Sequence, residues 1–480
     1  MSSTRKQISR RQFLSRSTKS AAGVIAASSF ASYAVAHTPK SRVIGANERI
    51  NVAVVGIHNR GNRHVDAYTK IPNVRIKTIC DIDENLFDEE SKRVDKLQGS
   101  APSTEYDYRR VLDDKDIDAV SLATPDHWHA LGTIWGCQAG KHVYVEKPVS
   151  HNIFECGKMI EAARKYNRIV AAGLQQRSNS RTRQAMKFLH EGGIGKIYMA
   201  RVICLKPRDS IERYPDGPSS ESHEGHPLFG YPVEGKVPPF DSSYLKNVHY
   251  DMWLGAAPKR PFNRNRFHYN WHWHWDYGSG DIGNTSPHAF DVAVWGMQKN
   301  EHPVEITSKG GYFAFDSDQQ TPNIQTTAFK YADGTILESE VRGLFTNSEQ
   351  GTQIGNFFYG TKGWMVVSGG WKTFFGRKNE PGPSSETVEK VDPTDLAGDV
   401  GSNHFDNFIR VLRSGNKDKL ACNIETGCLS TVLPHLANIS YRLGHDVTYD
   451  GSKEKFIGNK EAGRMLRRKY RKPYVVPSKV

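Results

Sequence analysis

The chain has 480 residues, of which 37% are hydrophobic and 42 are glycine, as expected for a globular protein with two or three domains. Its net charge of +13 is concentrated at the ends, because residues 1–36 carry six basic and no acidic side chains, and residues 452–480 carry ten basic and two acidic ones. The near-neutral remainder argues against a nucleic-acid-binding groove, and residues 451–480 are predicted to be a solvated basic tail, with binding to an anionic surface as the alternative.

The first 36 residues have the features of an export signal. Ser-Arg-Arg-Gln-Phe-Leu at residues 9–14 resembles the twin-arginine motif, and a weakly apolar stretch ends in Ala-Val-Ala at residues 34–36, a typical cleavage site. The stretch is shorter than the roughly 20 residues that span a bilayer, so no stable membrane insertion is expected. A lipid-facing anchor or a disordered basic tail is the alternative. We expect removal of residues 1–36, a linker at 37–48, and a mature protein in the periplasm or otherwise outside the cytoplasm.

Residues 49–173 are predicted to form a Rossmann domain that binds a dinucleotide. A strand at 49–55, a glycine-rich turn at 56–61 and a helix at 62–70 follow one another, an order that favours a pyrophosphate at the helix N-terminus. His58 replaces the second glycine of the G-x-G-x-x-G pattern, which normally lets the backbone approach the pyrophosphate. Its side chain is therefore expected to turn away or to contact the cofactor.

Asp81 ends the second predicted strand, 74–80, and lies twenty residues past Gly61. An acid at this point binds the ribose hydroxyls of a dinucleotide and repels a 2′-phosphate, which favours NAD over NADP. A helix N-cap is the alternative role for Asp81, and Asp83 could take either role.

Strands and helices continue to alternate after this point. Strands are predicted at 117–123, 141–145 and 168–173, with a turn into a helix at 124–129 and a helix at 153–166. This alternation predicts an α/β fold with a doubly wound parallel sheet.

Four motifs in this order resemble those of the Gfo/Idh/MocA oxidoreductases, and the resemblance extends over residues 49–475. They are the Gly-x-x-x-Arg-Gly turn, the strand-terminal Asp81, Thr-Pro-x-x-x-His ending at His129, and Glu-Lys-Pro at residues 146–148. In that family the lysine of Glu-Lys-Pro lies beside the nicotinamide and the reacting hydroxyl. The resemblance therefore gives Lys147 a catalytic role, which suits a cation near a developing alkoxide. It also implies NAD as the cofactor. The implied cofactor contacts are Gly56, His58, Arg60, Gly61, Asp81, Thr124, His129, Glu146, Lys147 and Gln176.

Residues 174–450 are predicted to form a substrate and oligomerisation domain. Its strands predict a large, mostly antiparallel open sheet with helices on one face. These strands are 196–204, 326–331, 336–342, 357–360 and 364–368. Long loops are predicted at 210–265 and late helices at 403–412 and 425–441. In the family the open face often makes oligomer contacts, so a homo-oligomer is expected.

The catalytic residues of this half are expected between Asp281 and Asp291. The family shows Asp-x-Gly-x-His-x-x-Asp on a helix, and alignment on His288 puts Asn284 at the first acid and Ser286 at the glycine. Residues four apart share a helix face. His288 is expected to keep the acid–base role, which a near-neutral pKa suits, whereas Asn284 can only form hydrogen bonds. Either Asn284 orients the substrate, or Asp281 or another acid replaces the missing carboxylate.

An aromatic run at 267–277 contains three histidines. Flat rings beside polar donors suit a sugar ring, and a strand with one buried aromatic face is the alternative. A metal site is disfavoured because no regular ligand spacing or carboxylate pair accompanies the histidines. The six cysteines form no Cys-x-x-Cys pair, which argues against a zinc site and a disulfide framework.

These features lead to three hypotheses about function. The first is an NAD-dependent oxidoreductase with tightly bound cofactor that transfers hydride between the carbinol carbon of a sugar or cyclitol and nicotinamide C4, with Lys147 and His288 handling the hydroxyl proton. The second is a redox-neutral glycosidase, lyase or epimerase that oxidises the sugar transiently, as NAD-dependent glycosidases of the family do. The third is a non-catalytic nucleotide- or sugar-binding protein, which His58 and Asn284 favour and the intact Glu-Lys-Pro disfavours.

Overall fold

The computed structural model describes residues 48–219, 223–224, 236–237, 240–388 and 403–480. The predicted export signal (1–36) and all but the last residue of the predicted linker (37–48) lie outside the described residues. No helix within the described ranges is both long and apolar enough to cross a bilayer.

Six short strands form a parallel sheet at the start of the described chain. They are β1 (Ile50–Val55), β2 (Val74–Cys80), β3 (Ser103–Glu105), β4 (Ala119–Leu122), β5 (His142–Val145) and β6 (Val170–Ala172). Their order is β3-β2-β1-β4-β5-β6, and all neighbouring pairs are parallel. The strand order reverses at β1, so the predicted doubly wound sheet is confirmed, and its crevice lies at the carboxyl ends of β1 and β4.

Helices cover both faces of this sheet. They are α1 (Arg60–Tyr68), α2 (Phe87–Gln98), α3 (Tyr108–Asp113), α4 (Asp126–Gln138) and α5 (Ile153–Lys165). The next helix, α6 (Ser180–His190), packs against the second part of the chain, where the Phe188 ring lies 5.1 Å from that of Trp371. Val54 of β1 shares a core cluster with Val65 of α1, whereas the next residue, Val55, shares another with Ile134 of α4. A strand buried on both faces reads as a continuous apolar run, which is why β1 is Ile-Asn-Val-Ala-Val-Val.

A ten-stranded sheet dominates the second part of the described chain. The strands from here on are β7 (Ile197–Cys204), β8 (His223–Glu224), β9 (Lys236–Val237), β10 (Glu305–Gly311), β11 (Ile324–Lys330), β12 (Ile336–Arg342), β13 (Ile354–Gly360), β14 (Gly363–Val367), β15 (Trp371–Phe375), β16 (Glu380–Ser384), β17 (Val447–Asp450) and β18 (Lys455–Phe456). The large sheet has the order β16-β15-β14-β13-β7-β12-β11-β10-β17-β18, and β8 pairs with β9 separately. β7 is parallel to β12, and the other neighbouring pairs are antiparallel. The prediction of a large, mostly antiparallel sheet is confirmed.

The remaining helices lie on one face of this sheet or in loops, except the helix that begins at His404. That helix packs on the first sheet, where Phe405 stacks on Tyr144 of β5 with 4.6 Å between the ring centroids. The remaining helices are α7 (Ser242–Leu245), α8 (Tyr250–Leu254), α9 (Gly280–Asn284), α10 (Pro287–Gly296), α11 (His404–Ser414), α12 (Ile424–Leu443) and α13 (Lys460–Met465). Phe290 of α10 packs edge-on against Phe329 of β11, and Ser308 N of β10 donates to Ser440 Oγ of α12 at 3.0 Å. β11 alternates buried and exposed residues because α10 and α12 cover one face and leave the other open.

The C-terminal segment, residues 451–480, is packed rather than solvated, so the expectation of a solvated tail is wrong. Tyr474, Val476 and Val480 are buried. Arg471 Nε donates to Gly255 O at 2.9 Å. Basic side chains of this segment, such as Arg471, thus bind carbonyl and carboxylate groups in the rest of the protein. The apolar side chains beside them are buried against it.

Candidate active site

A cavity of about 380 Å³ lies at the carboxyl edge of the parallel sheet. Asp81, Trp128 and Tyr474 line it near β2, and Lys147 and His288 line it near β5. β2 and β5 are three strand spacings apart, roughly 14 Å, so the cavity is long enough for an extended ligand. Ten predicted site residues line it: Gly56, His58, Arg60, Asp81, Thr124, His129, Glu146, Lys147, Asn284 and His288.

Two glycines shape the turn after β1. Gly56 has a φ of +81°, and a Cβ there would lie 2.7 Å from Ala123 O. A Cβ on Gly61 would lie 1.9 Å from Gly56 O. Gly61 therefore does not line the cavity, and its role is to let α1 begin against the turn. Close backbone contacts thus require glycine at positions 56 and 61. Position 58, between them, carries the His58 side chain instead.

The His58 ring packs against a residue of the second part of the chain. Its centroid lies 4.9 Å from that of His268, and His268 Nε2 lies 3.0 Å from Asp83 Oδ2. Burial, followed by the charge of His268, lowers the pKa of His58 to about 3. A neutral ring, supported by His268, thus lines the cavity where the usual glycine would leave space.

Asp81 and Asp83 have different surroundings. Asp81 lines the cavity and accepts hydrogen bonds from Ile57 N at 2.9 Å and Asp83 N at 3.1 Å. Burial, reinforced by the charge of Asp83, raises the pKa of Asp81 to about 6. Asp83 accepts hydrogen bonds from Asn85 N at 3.1 Å and Tyr244 Oη at 2.6 Å and caps the turn that follows. Of these two acids, Asp81 is therefore the one whose side chain faces the cavity.

Glu146 is an internal anchor at the end of β5. Arg60 Nε donates to its Oε1 at 2.8 Å, and His64 Nε2 lies 3.1 Å from the same oxygen. Burial alone would raise the pKa of Glu146, but Arg60 and His64 hold it well below its usual value. The Glu146 carboxylate thus connects the end of β5, next to Lys147, with Arg60 in the first turn of α1.

Gln176 is not brought to the cavity. Its Oε1 accepts a hydrogen bond from Thr182 Oγ1 at 3.1 Å, whereas its neighbour Gln175 donates to Glu146 Oε1 at 3.0 Å. Both belong to the 3₁₀ helix Gln175–Ser178, in which successive side chains point in different directions. Gln176 therefore does not line the cavity, and its neighbour Gln175 supports Glu146, which does.

Lys147 and Asn284 meet across the cavity. Lys147 Nζ donates to Asn284 O at 2.6 Å and lies 3.3 Å from Asn284 Oδ1. Burial lowers the pKa of Lys147, while the charges of Glu146 and Asp126 act in the opposite direction. The lysine binds the carbonyl end of α9, where backbone oxygens have no partner within the helix.

His288 lies in the first turn of α10, after Pro287. Burial, followed by the charge of Lys147, lowers the pKa of His288 to about 3, so the near-neutral value expected from the sequence is wrong and the imidazole is neutral at pH 7. Its Nδ1 is buried and has no hydrogen-bond partner among the described residues. Such an atom is suited to a ligand hydroxyl, because buried polar atoms are normally paired.

Asp281 does not replace the acid that position 284 lacks. Arg208 Nε and Nη2 donate to its carboxylate at 2.6 to 2.9 Å. Asp291, the last acid of the motif, is bound in the same way by Arg177 at 2.8 to 3.0 Å. Both carboxylates are committed to buried ion pairs that position the helices around the cavity.

Sequence reasoning missed several residues that line the cavity. Asp126, the first residue of α4, is buried and accepts a long hydrogen bond of 3.4 Å from Ser279 Oγ. Lys206 is the second residue after β7, and Tyr474 comes from the C-terminal segment. For Asp126 and Lys206, the only feature of the sequence that could have indicated a place in the cavity is that each follows a strand. No feature of the sequence indicated it for Tyr474.

The aromatic run divides between core and cavity. Trp273 and Tyr277 are buried outside the cavity lining, while Tyr269 and His272 line it near Lys147. Asn270–Trp273 is a 3₁₀ helix, so the interpretation as a strand is wrong. No group of three or more His, Cys, Asp or Glu side chains in the described ranges is arranged to hold a metal ion.

The lining residues fit a dinucleotide. An acid stands at one end, the glycine turn and Arg60 in the middle, and Lys147 at the other end. His129 joins the turns after β4 and β5, since its ring nitrogens lie 2.7 Å from Thr124 O and 2.7 Å from Pro148 O. Thr124 Oγ1 is buried without a partner among the described residues, which leaves a second polar atom available for a ligand.

Two family profiles match the chain. The profile described as oxidoreductase family, NAD-binding Rossmann fold, matches residues 50–174. The profile described as oxidoreductase family, C-terminal alpha/beta domain, matches residues 234–365 and 393–476. Together they identify the first domain as an NAD-binding one and confirm the cofactor predicted from the sequence.

Curated relatives match over a limited region. A glycosyl hydrolase family 109 protein of Shewanella pealeana is 32% identical over 171 residues, which are 33% of this chain and 37% of the relative. An alpha-N-acetylgalactosaminidase of Shewanella oneidensis is 31% identical over 169 residues, or 32% of this chain and 37% of the relative. The chain thus spans little more than a third of the length of these relatives.

Solved structures match over most of the chain. The WlbA dehydrogenase of Chromobacterium violaceum, in complex with NADH and UDP-GlcNAcA, has a TM-score of 0.59 at 19% identity and covers 85% of this chain and 98% of its own. The aldose-aldose oxidoreductase of Caulobacter crescentus has a TM-score of 0.58 at 15% identity, with 84% and 100% covered. A levoglucosan dehydrogenase with NADH and levoglucosan has a TM-score of 0.56 at 18% identity, with 84% and 99% covered. At these identities the likeness establishes the fold.

Proposed function

The chain belongs to the Gfo/Idh/MocA family of NAD-binding oxidoreductases, and from this premise we propose that it transfers hydride between a hydroxyl-bearing carbon of a sugar or cyclitol and NAD. The observation on which the proposal rests is the bond of 2.6 Å between Lys147 Nζ and Asn284 O, beside a neutral His288 in one cavity. Sugar complexes of proteins with the same fold support the choice of substrate class.

The proton of the reacting hydroxyl goes to Lys147. NAD, when bound, supplies the hydride acceptor at nicotinamide C4. Burial lowers the pKa of Lys147, which favours the neutral amine that can accept a proton. The substrate loses a hydride from carbon and a proton from oxygen, and Lys147 becomes the ammonium. The unpaired Nδ1 of His288 can hold the same hydroxyl in place.

Asp81 supports NAD rather than NADP as the preferred cofactor. It lines the cavity after β2, where its two backbone hydrogen bonds fix the carboxylate. A carboxylate at this point accepts hydrogen bonds from the ribose hydroxyls and repels a 2′-phosphate.

Residues 240–277 form a strap that supports tight cofactor retention. Glu84 N, in the turn after β2, donates to Asn247 O of the strap at 2.9 Å. His249 N of the strap donates to Ile82 O at 2.8 Å. These main-chain bonds attach the strap beside Asp81, so the ribose end of the cavity is closed on that side.

A second set of contacts fixes the strap to α4. Trp253 O accepts a hydrogen bond from Trp128 Nε1 at 2.9 Å, and His127 Nε2 lies 2.8 Å from the same oxygen. Tyr474 packs edge-on against Trp128, with 5.4 Å between the ring centroids. Cofactor release would require these contacts to open, which favours a low off-rate.

The proposal is tested by purifying the mature protein, removing free nucleotide, and adding a panel of sugars and cyclitols. We expect NAD(H) to remain bound, nicotinamide absorbance to change with at least one substrate, and turnovers to exceed the bound nucleotide when a keto-sugar acceptor is present. A protein that emerges empty and stays redox-silent with added NAD and every panel member would refute the oxidoreductase and favour a non-catalytic binding protein.

A redox-neutral glycosidase is the second candidate, and the names of the Shewanella relatives favour it. In that reaction the sugar is oxidised, loses its aglycone by elimination, gains water and is reduced again, so no net NADH accumulates. Release of p-nitrophenol from p-nitrophenyl glycosides, with solvent deuterium entering the sugar ring, would identify it. Net NADH formation without such release would exclude it.

Two further expectations from the sequence belong to this proposal. Trp364 of β14 and Phe374 of β15 stack with their ring centroids 4.3 Å apart and are only partly buried. These rings on the large sheet support a homo-oligomer, which light scattering tests. The twin-arginine signal supports export, which an Arg10→Lys, Arg11→Lys pair should block while the protein accumulates in the cytoplasm.

A further inference from the structure

The site lacks an acid at position 284, and the carboxylates that do line the cavity differ in their position and in their hydrogen-bond partners. Four carboxylates line it within the described part of the chain: Asp81, Asp107, Asp126 and Glu146. Asp81 and Asp107 lie near the ends of β2 and β3, away from Lys147. Glu146 is held by Arg60 and His64.

Asp126 is the remaining carboxylate. It opens α4 directly after Thr124 and Pro125 and is 2% exposed. Its only side-chain partner among the described residues is Ser279, whose Oγ donates to Oδ2 at a long 3.4 Å.

Ser279 places Asp126 next to the helix that Lys147 binds. Ser279 is the residue before α9, and Asn284, which accepts the Lys147 Nζ hydrogen bond at 2.6 Å, is the last residue of α9. Five residues of α-helix extend only about 7 Å. Asp126 and Lys147 therefore contact opposite ends of one short helix and face the same cavity.

The charges of the two groups are linked. Burial raises the pKa of Asp126 well above its usual value, and the positive charge of Lys147 acts against that rise. Burial lowers the pKa of Lys147, and Glu146 and Asp126 act against that fall. Glu155 adds a negative charge near Asp126, and Arg60 and Tyr269 are the further groups that face Lys147. The ionised form of each group therefore stabilises the ionised form of the other.

We propose that Asp126 is a positioning acid of the reaction, which supplies from α4 the carboxylate that position 284 lacks. It holds Lys147 toward the substrate and stabilises the ammonium that forms when Lys147 takes the hydroxyl proton. The hydride leaves carbon for NAD, the proton moves from oxygen to Lys147 Nζ, and the ammonium so formed favours the ionised form of Asp126. This inference rests on the proposed function, but the electrostatic interaction of Asp126 with Lys147 can be tested without turnover.

The first experiment measures Lys147 itself. NMR of protein labelled with ¹³Cε-lysine, with Lys147→Arg to assign the signal, gives the pKa of Lys147. In Asp126→Asn that pKa should fall, because a negative charge beside the ammonium is lost, and in Asn284→Asp it should rise. An unchanged Lys147 pKa in Asp126→Asn would overturn the proposal, even if no sugar is ever oxidised.

The second experiment measures turnover with the holoenzyme. Asp126→Asn should lower kcat by roughly 100-fold and move the acidic limb of the pH profile to lower pH, with NADH binding by fluorescence unchanged. Adding Asn284→Asp should recover at least tenfold, since it returns a carboxylate to the other side of Lys147. Glu90→Gln, an equally buried carboxylate held by Arg93 at 2.7 Å outside the cavity, is the matched control and should keep its kcat.

A folding defect is separated from loss of the acid by a milder variant. Ser279→Ala keeps Asp126 and removes its hydrogen bond, and the Ser279 side chain does not cap α9. The acidic limb should shift in the same direction by a smaller amount. No shift in Ser279→Ala, together with no rescue by Asn284→Asp, would overturn the proposal. A redox-silent wild type would refute the proposed function alone.

Discussion

Replacing Lys147 by methionine should abolish hydride transfer while leaving the fold and the dinucleotide in place. Methionine keeps the length and apolar stem of the side chain and removes the group that receives the proton. Loss of a positioned base reduces turnover by about 10²- to 10⁴-fold, which corresponds to roughly 3 to 5 kcal/mol of the barrier. We therefore expect kcat to fall by at least two orders of magnitude.

The cost to stability should be much smaller. Lys147 Nζ makes its short hydrogen bond to one carbonyl, Asn284 O, and an unpaired buried acceptor costs about 1 to 3 kcal/mol. The penalty of burying the ammonium, which lowers the pKa of Lys147, disappears at the same time. The free energy of unfolding should then change by less than about 2 kcal/mol, because the two effects oppose each other.

The assay is single-turnover reduction of the bound nicotinamide by substrate, followed by absorbance, with NADH binding and chemical denaturation measured in parallel. Lys141→Met is the matched control. That lysine precedes the same strand, is buried, and donates to Asp114 O and Ile117 O at 2.6 and 2.9 Å, so it should lose stability and keep its single-turnover rate. A Lys147→Met protein that reduces its nicotinamide within a few-fold of the wild-type rate would refute the assignment.

Three further substitutions test the rest of the cavity. Asp81→Ala should weaken NAD by roughly tenfold and raise the preference for NADP, measured as a ratio of dissociation constants; an unchanged ratio would give ribose recognition to another group. Glu146→Gln should lower the free energy of unfolding by about 3 kcal/mol at neutral pH. Because the folded-state pKa of Glu146 is depressed, its contribution is present above the unfolded value of about 4.3 and is lost at lower pH, so denaturation curves of variant and wild type should converge on acidification; a constant difference would contradict the ion-pair role. Tyr474→Ala should weaken NADH and ADP-ribose equally by roughly tenfold and leave nicotinamide mononucleotide unaffected, and a loss confined to the mononucleotide would place Tyr474 at the wrong end.

The first sheet could be predicted because its central strands are buried on both faces. β1 and β2 carry continuous apolar runs, and the turn after β1 has glycines that close contacts require. The edge strand β3 is Ser-Thr-Glu, three partly or fully exposed residues without an apolar signal, and it was not predicted. The apolar sequence pattern therefore predicts strands that are stabilised by burial of their side chains. It does not predict an edge strand such as β3, which is held by hydrogen bonds to its neighbour.

The candidate site could be predicted only in part, because a motif gives residue types and not their neighbours. Lys147 and His288 follow from two motifs, and the structure brings them to one cavity. The low pKa of His288 depends on burial and on Lys147, which lies 141 positions away in the sequence. The packed C-terminal segment illustrates the same limit. Its composition predicts solvated arginines, but Arg471 binds Gly255 O, a partner that is distant in the sequence.

The replacement of glycine by His58 is best understood together with the strap. A side chain at this point of a bare Rossmann turn would project into the crevice with nothing behind it. Here the ring lies 4.9 Å from His268 of the strap, and His268 is in turn held by Asp83, 3.0 Å away. Tyr244, also of the strap, donates to the same carboxylate at 2.6 Å. The departure from the glycine pattern and the attachment of the strap are therefore parts of one arrangement, in which the imidazole of His58 lines the cavity and links the turn after β1 to the strap.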